Sequence, residues 1–205
     1  MVHVDRLASI IATGGLLSDA QIAATATTGS MIGMKDIKHR RLHALRLTTH
    51  PDLYVGQCVP FYFCPRSIML YVICRANNPD LAYKGGQVPI MHLQADLNAV
   101  VIWADQQRRR WAFTLSNAGS YFFEDRNDLA HLNDLNWLAI QTDQWWGCKD
   151  GKQAEFLLEQ CFPWHLVEAI GVHSAFTYQQ VMAALDELDA TTYKPTVTLK
   201  PAWYY

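Results

Sequence analysis

No GxGxxG, P-loop, GxSxG or HExxH stretch occurs in the chain. The common dinucleotide, nucleotide-triphosphatase, serine-hydrolase and zincin readings therefore lack the residues they start from. CxxC is missing too. The five cysteines, at 58, 64, 74, 148 and 161, suit reduced thiols in a core better than a disulfide framework or a zinc knuckle, and no metal site is expected. No run approaches the roughly 18 apolar residues of a membrane span, and residues 1–6 carry no basic stretch leading into an apolar core. The expectation is a cytoplasmic protein with no membrane partner. Neither charge dominates: 17 Lys and Arg face 19 Asp and Glu, a formal charge of -2, which excludes an overall basic coat but not a local basic patch. With neither repeat nor linker, the 205 residues, 50% hydrophobic and 18% charged, read as a single domain over 1–205 with a substantial core.

Val4, Leu7, Ile10 and Ile11 recur at helical spacing before Gly14 and Gly15, which predicts a short amphipathic helix over 5–13. The stretch 18–50 is looser and then basic, with Lys35, Lys38, His39, Arg40, Arg41, His43 and Arg46 close together. Such a run reads either as a solvated face or as a phosphate-contacting patch, and both stay open. Residues 58–63 are strand-like, and so by composition are 69–73, with Pro65, Arg66 and Ser67 interrupting them as a strand end or a turn into a short helix. Strands are expected over 88–93, 100–103 and 111–115, a loop over 116–120, and a helix or paired helical turns over 128–137. For 152–159 propensity favours helix, and context leaves strand open. A short helix feeding a strand is expected over 163–172, a helix over 179–188, and an extended tail beyond 190.

Two charged residues have surroundings unlike an ordinary surface. Arg66 sits inside the apolar run 54–73, and a guanidinium there needs either a carboxylate partner or an anionic ligand. Glu155 lies between a polar loop and Phe156, Leu157 and Leu158. Spacing alone does not say whether the two meet. Cys58 and Cys64 lie in the apolar run, where a thiol is usually an inert packer. Trp145 and Trp146 fall in a polar loop, where aromatic rings can stack on nucleobases.

Three stretches, His3-Val4-Asp5-Arg6-Leu7-Ala8-Ser9-Ile10-Ile11 with Gly15-Leu16-Leu17, Val59-Pro60-Phe61-Tyr62-Phe63-Cys64-Pro65-Arg66-Ser67-Ile68-Met69-Leu70-Tyr71, and Lys152-Gln153-Ala154-Glu155-Phe156-Leu157, together resemble the DarT family over about residues 1–185. These toxins of toxin–antitoxin pairs transfer ADP-ribose from NAD to a base of single-stranded DNA. The resemblance implies an α+β ADP-ribosyltransferase fold, two small packed β-sheets with flanking helices and an NAD cleft. It implies NAD as substrate, no metal, single-stranded DNA as partner, and a cognate antitoxin that reverses the modification.

On that resemblance Glu155 matches the catalytic glutamate, whose fixed negative charge would stabilise the oxocarbenium-like centre formed as nicotinamide departs. Arg66 matches the family's arginine at the NAD phosphates and the attacked base, where an electrostatic role suits a group that does not give up its proton. His3, Ser9 and Leu17 fall in the segment that lines the NAD pocket. Arg40, Arg41, Arg108, Arg109 and Arg110 are candidate strand contacts. Thymidine-modifying members tend to carry Phe-Thr-Asp-x-His-Ala. Here Phe113-Thr114-Leu115-Ser116-Asn117-Ala118 puts Asn117 at the histidine's position, which keeps guanine in play beside thymine. The family's His-Ile/Phe-Thr element has no counterpart ahead of His3 in these residues. That motivates an alternative, a catalytically impaired module that binds NAD or nucleic acid. A protein-targeting ADP-ribosyltransferase on the same scaffold is a second alternative.

Overall fold

Short polar side chains decide where the main helices begin. Ser67 Oγ accepts from Leu70 N at 3.2 Å, Asp96 Oδ1 from Ala99 N at 2.8 Å, Asn136 Oδ1 from Ala139 N at 3.0 Å and Ser174 Oγ from Thr177 N at 3.2 Å. Each satisfies a helix-start N–H that has no partner within its own helix. The computed structural model describes residues 1–24, 30 and 32–205. In chain order it contains β1 (Val2–His3), α1 (Leu7–Ala12), β2 (Gly15–Leu17), α2 (Asp19–Ala24), α3 (Lys35–His43), β3 (Cys58–Tyr62) and α4 (Ile68–Arg75). There follow β4 (Ile90–Gln94), α5 (Leu97–Gln106), β5 (Trp111–Thr114), β6 (Asp125–Arg126), α6 (Trp137–Gln141) and α7 (Lys149–Lys152). The chain closes with β7 (Glu155–Glu159), β8 (Cys161–Pro163), β9 (Ala169–Val172), α8 (Ala175–Asp186) and β10 (Thr196–Leu199). Part of the loose 18–50 stretch, residues 25–29 and 31, lies outside the described residues.

The strands form two four-stranded sheets, β1-β4-β9-β10 and β3-β7-β5-β6, and the pair β2-β8. Pairing is antiparallel except between β9 and β10. The α+β architecture of small sheets with flanking helices is as expected. Phe113, Phe156 and Leu158 from one sheet join Met91, Ile170 and Val172 from the other in the main core. Leu157, between them in sequence, points to a second cluster with Leu45, Leu47, Leu53 and Cys58. Period-2 alternation thus divides β7 between two cores.

One expected element is corrected, and two that were left open are decided. Residues 100–103 are helical: Val100, Val101 and Ala104 are buried while Ile102 faces out, and the Asp96 cap starts the turn. A four-residue apolar run reads equally well as buried strand or buried helix. For residues 69–73, strand-like by composition, the other reading holds, a turn into a short helix: they belong to α4, which Ser67 nucleates and Ala76 ends in a left-handed conformation at φ 49°. Helical propensity over 152–159 yields to β7, whose five residues are all buried between β3 and β5. Cross-strand packing there outweighs an intrinsic preference worth only tenths of a kcal/mol per residue. The remaining expected strands and the helix over 179–188 form with shifted ends, and the tail supplies β10 and a closing 3₁₀ turn, Pro201–Trp203.

Candidate active site

Glu155 opens β7 directly opposite Tyr62 of β3, at the end of the sheet. Its backbone is pinned by Thr114 of β5: Glu155 N donates to Thr114 Oγ1 at 3.1 Å, and that hydroxyl donates onward to Ser116 O at 2.7 Å. The residue is 1% exposed. A carboxylate so placed needs partners, and they come from α3, where Arg41 Nη1 and Nη2 each lie 3.0 Å from Glu155 Oε2 and Nη1 lies 3.4 Å from Oε1. Burial disfavours the charged guanidinium. The facing Glu155 outweighs it and holds the Arg41 pKa above its ordinary value, so the cation persists at every working pH. Burial, and then Glu155, push the Tyr62 phenol well up, so Tyr62 is a neutral hydroxyl beside this pair.

Glu155, Arg41 and Tyr62 line a cleft of about 530 Å³, together with Ser9, Ile10, Thr13 and Leu17 on one wall and Met34, Ile37 and Lys38 on another. Lys38 Nζ and Asp19 Oδ1, both cleft-lining, pair at 2.6 Å. Asn117 reaches the cleft from the loop after β5: its Nδ2 donates to Gln153 Oε1 at 3.2 Å and its Oδ1 accepts from Gly119 N at 2.7 Å. Gln153 also lines the cleft, two residues before Glu155. Just ahead of it Lys152 is buried, its ammonium tied to Ile140 O at 2.9 Å and Thr142 O at 2.7 Å, which locks the approach to β7. The volume falls within the range of small-molecule and cofactor sites. Polar groups of both signs along an otherwise apolar wall suit a ligand with ribose hydroxyls, phosphates and flat rings.

The structure sorts the residues singled out from sequence. Glu155, Ser9, Leu17, Asn117 and Arg41 meet at the one cleft. Arg66 is not among them. Its Nη1 pairs with Asp143 at 2.9 Å and its guanidinium lies 4.6 Å from the Tyr205 ring, so the cation beside Glu155 is Arg41 instead. Arg66 sits in the short turn between β3 and α4, where its carbonyl accepts from the Tyr205 hydroxyl at 3.0 Å and its guanidinium lies over the Tyr205 ring.

His3 is also displaced from its expected place. Its ring caps a 3₁₀ turn by accepting from Asp5 N at 3.2 Å, and packs edge-on against Tyr83, while its neighbours Met1 and Val2 line the cleft. Arg109 binds the Gln160 side chain, and Arg110 grips Glu159 and Asp52. Glu159 and Glu155 share a face of β7 at opposite ends, about 13 Å apart at about 3.3 Å per residue, so Arg109 belongs to the far end of the strand. Arg40 lies over the Tyr121 ring at 4.9 Å, outside the cleft. Burial pushes the Cys58 thiol up to about 12, which leaves it inert. Trp145 is buried against Tyr71, while Trp146 is 74% exposed.

Sequence reasoning missed Tyr62, Thr114 and Gln153. Gln153 stands two residues before Glu155, at the end of α7, and the fold rather than a strand pattern brings both to the cleft.

The family described as "ssDNA thymidine ADP-ribosyltransferase, DarT" matches residues 1–205. A curated DNA ADP-ribosyl transferase of Thermus aquaticus is 34% identical over 205 residues, which is 100% of this chain and 87% of that protein. Among solved structures, DarT of Thermus sp. 2.9 in complex with ADP-ribosylated single-stranded DNA superposes with a TM-score of 0.88 at 32% identity, covering 100% of this chain and 93% of that one. The same protein in complex with NAD+ gives 0.82 at 30% identity, with 100% and 94% covered.

Proposed function

The chain belongs to the DarT family, and we propose that it moves the ADP-ribosyl group of NAD onto a thymine base of single-stranded DNA. The observation that carries this reading is the buried Glu155, gripped by Arg41 at the end of β7 and opening on a cleft of about 530 Å³. The relatives bound to NAD+ and to ADP-ribosylated DNA support the substrates.

In the reaction the bond between C1′ of the nicotinamide ribose and the pyridinium nitrogen breaks, and its electron pair leaves with nicotinamide. The cationic sugar that develops is stabilised by the fixed charge of Glu155, which the protein holds in place before the substrate arrives. In DNA the one ring N–H of thymine is N3–H, because N1 carries the sugar. A bond from N3 to C1′ therefore releases the N3 proton, which passes to solvent water. Arg41, a permanent cation, polarises the carbonyls beside N3 and eases that loss without itself accepting the proton. Tyr62, neutral and close by, is a donor for a ribose hydroxyl.

N3 lies on the edge that pairs with adenine, so the product blocks copying of the strand. A cell that makes this enzyme needs a hydrolase of the class that removes ADP-ribose from DNA, and a cognate antitoxin of that kind is the partner we infer.

The test is mass spectrometry of nucleosides digested from single-stranded oligonucleotides treated with NAD and protein. ADP-ribosyl-thymidine is expected, and it disappears in Glu155→Gln. NAD binding without nicotinamide release would instead identify a binding module, and label from NAD entering protein would identify a protein modifier. No adduct on any oligonucleotide or RNA overturns the proposal.

A further inference from the structure

Between β5 and β6 the chain crosses a loop of residues 115–124 that is anchored at three points. Leu115 N donates to Glu124 O at 2.9 Å, Phe123 packs into the second core cluster, and Ser120 N donates to Asn117 O at 3.0 Å. The turn at Gly119 rests on α3, with no room for a Cβ between Ile37 and Asn117. Between these anchors two aromatic side chains face outward: Tyr121 is 66% exposed and Phe122 is 91% exposed. Adjacent, exposed aromatic rings on a loop tied down on both sides do not follow from folding, since burying either would be favourable.

Their surroundings identify an occupant. Arg40 of α3 covers one face of Tyr121 at 4.9 Å, next in sequence to the Arg41 that holds Glu155. No carboxylate lies within ion-pair distance of Arg40 among the described residues, and its Nε finds no acceptor there. Lys35 adds a second cation in the first turn of the same helix, where Asp36 also lies, while Glu124 at the end of the loop is taken up by Arg126. An unpaired guanidinium beside open aromatic faces complements a chain of alternating phosphates and flat bases. The base of the same loop is Asn117, which lines the cleft, so one loop carries both the two open rings and a wall of the cleft.

We propose that Tyr121 and Phe122 form a stacking step for a nucleobase adjacent to the modified one, with Arg40 contacting the phosphate between them. This rests on the single-stranded DNA reading above. Two consequences follow from the chemistry. Stacking accepts any base, so the step selects for an unpaired neighbour rather than for a sequence, and an abasic neighbour is a poorer substrate than any of the four bases. Because the step lies outside the Glu155 cleft, it acts on DNA binding rather than on NAD.

The test uses single-stranded oligonucleotides carrying one thymidine and 2-aminopurine on either its 5′ or its 3′ side. With the native protein, fluorescence quenching on binding is expected for one of the two, and it is lost in the Tyr121→Ala/Phe122→Ala variant. The same variant should raise KM for the oligonucleotide about 5- to 100-fold, the equivalent of one stacked base, with NAD affinity unchanged and a much smaller effect on kcat. Tyr121→Phe should retain the quenching. Arg40→Gln should lower the slope of log K against log salt by about 0.7, the share of one phosphate on a single strand. Unchanged quenching and KM in the double variant, with the native protein modifying the oligonucleotide, overturn this inference and leave the proposed function standing. If the native protein modifies no oligonucleotide, the proposed function fails and this inference fails with it.

Discussion

Arg41 places both of its terminal nitrogens 3.0 Å from the same oxygen of Glu155, across 114 positions of sequence. A planar fork can do this and a single ammonium cannot. Removing one member of a buried pair costs about 3–5 kcal/mol, so an Arg41→Ala variant would confound chemistry with folding. Arg41→Lys keeps the charge and loses the fork. Its ADP-ribosylation rate should fall by about 10²-fold, the scale of one oriented transition-state contact, with circular dichroism unchanged. Arg66→Ala removes a pairing with the largely exposed Asp143, worth about 0–1 kcal/mol, and the contact of its guanidinium with the Tyr205 ring, and should stay within a few-fold of the native rate. Loss of activity in Arg66→Ala with retention in Arg41→Lys would reverse the two assignments.

Asp125 ties the start of β6 to the loop before β3, accepting from Thr48 N at 2.8 Å, Thr48 Oγ1 at 2.6 Å, Thr49 N at 2.9 Å and Thr49 Oγ1 at 2.5 Å. Burial raises its pKa, but these four donors outweigh it and hold the carboxyl below its ordinary 3.8. As pH falls, the unfolded chain therefore takes up this proton before the folded one. The stability is complete above the ordinary value and is lost as pH falls through the lowered one. Asp125→Ala should cost about 1.5–3 kcal/mol at pH 7, and Asp125→Asn a comparable amount because its amide donors face four donors. Urea midpoints at pH 7 and pH 3 check this: the gap between native and variant should narrow at the lower pH.

His92 in β4 works in the same direction from a different cause. Burial, then the nearby amino terminus, push its pKa from 6.5 to about 3, so the folded protein holds it neutral across the acid range. Below pH 6.5 the unfolded state binds a proton that the folded state refuses, and stability falls down to about pH 3 at up to about 1.4 kcal/mol per pH unit for this one proton. His92→Gln should flatten the stability profile between pH 3 and 6.5 and leave the acid loss due to Asp125 in place. Chemical denaturation at half-unit steps would measure it, and an unchanged profile would exclude His92 as the source.

What the residues announced and what they withheld divide along physical lines. Glu155 was legible because a carboxylate before Phe156-Leu157-Leu158 breaks an apolar pattern. Its partner was not. Arg41 lay in a run of basic residues that composition treats alike, and only the packing of α3 against α2 and the turn 55–57 buries one of them while Arg40 remains outside the cleft. β7 itself stayed undecided between helix and strand because its helical propensity is local, whereas its pairing partners β3 and β5 are remote in sequence. The interruption at Pro65 and Ser67 correctly marked a boundary, but a place beside Glu155 did not follow for Arg66 from its apolar neighbours, since the turn leads its half-buried side chain to Asp143 and the Tyr205 ring.

Asn117 is oriented by a chain of bonds: Gln153 Nε2 donates to Lys149 O at 3.2 Å, which leaves Gln153 Oε1 to accept from Asn117 Nδ2, while Asn117 Oδ1 accepts from Gly119 N. One N–H and one lone pair of Asn117 remain for the cleft. Thymine offers a carbonyl on each side of N3, and the remaining N–H suits either one as charge builds there. Guanine also presents a carbonyl beside its ring N–H, but adds an amino group that would call on the lone pair. Asn117→Ala should therefore reduce kcat/KM for a thymidine oligonucleotide about 10- to 100-fold, the range of a hydrogen bond to a developing charge, with NAD affinity preserved. Asn117→Asp should reduce it further, because it exchanges the donor for a second anion close to Glu155. Mass spectrometry of mixed-sequence oligonucleotides measures rate and base together. ADP-ribosyl-guanosine as the main product of the native protein would mean that Asn117 works through its lone pair, and Asn117→Asp would then be the milder of the two substitutions.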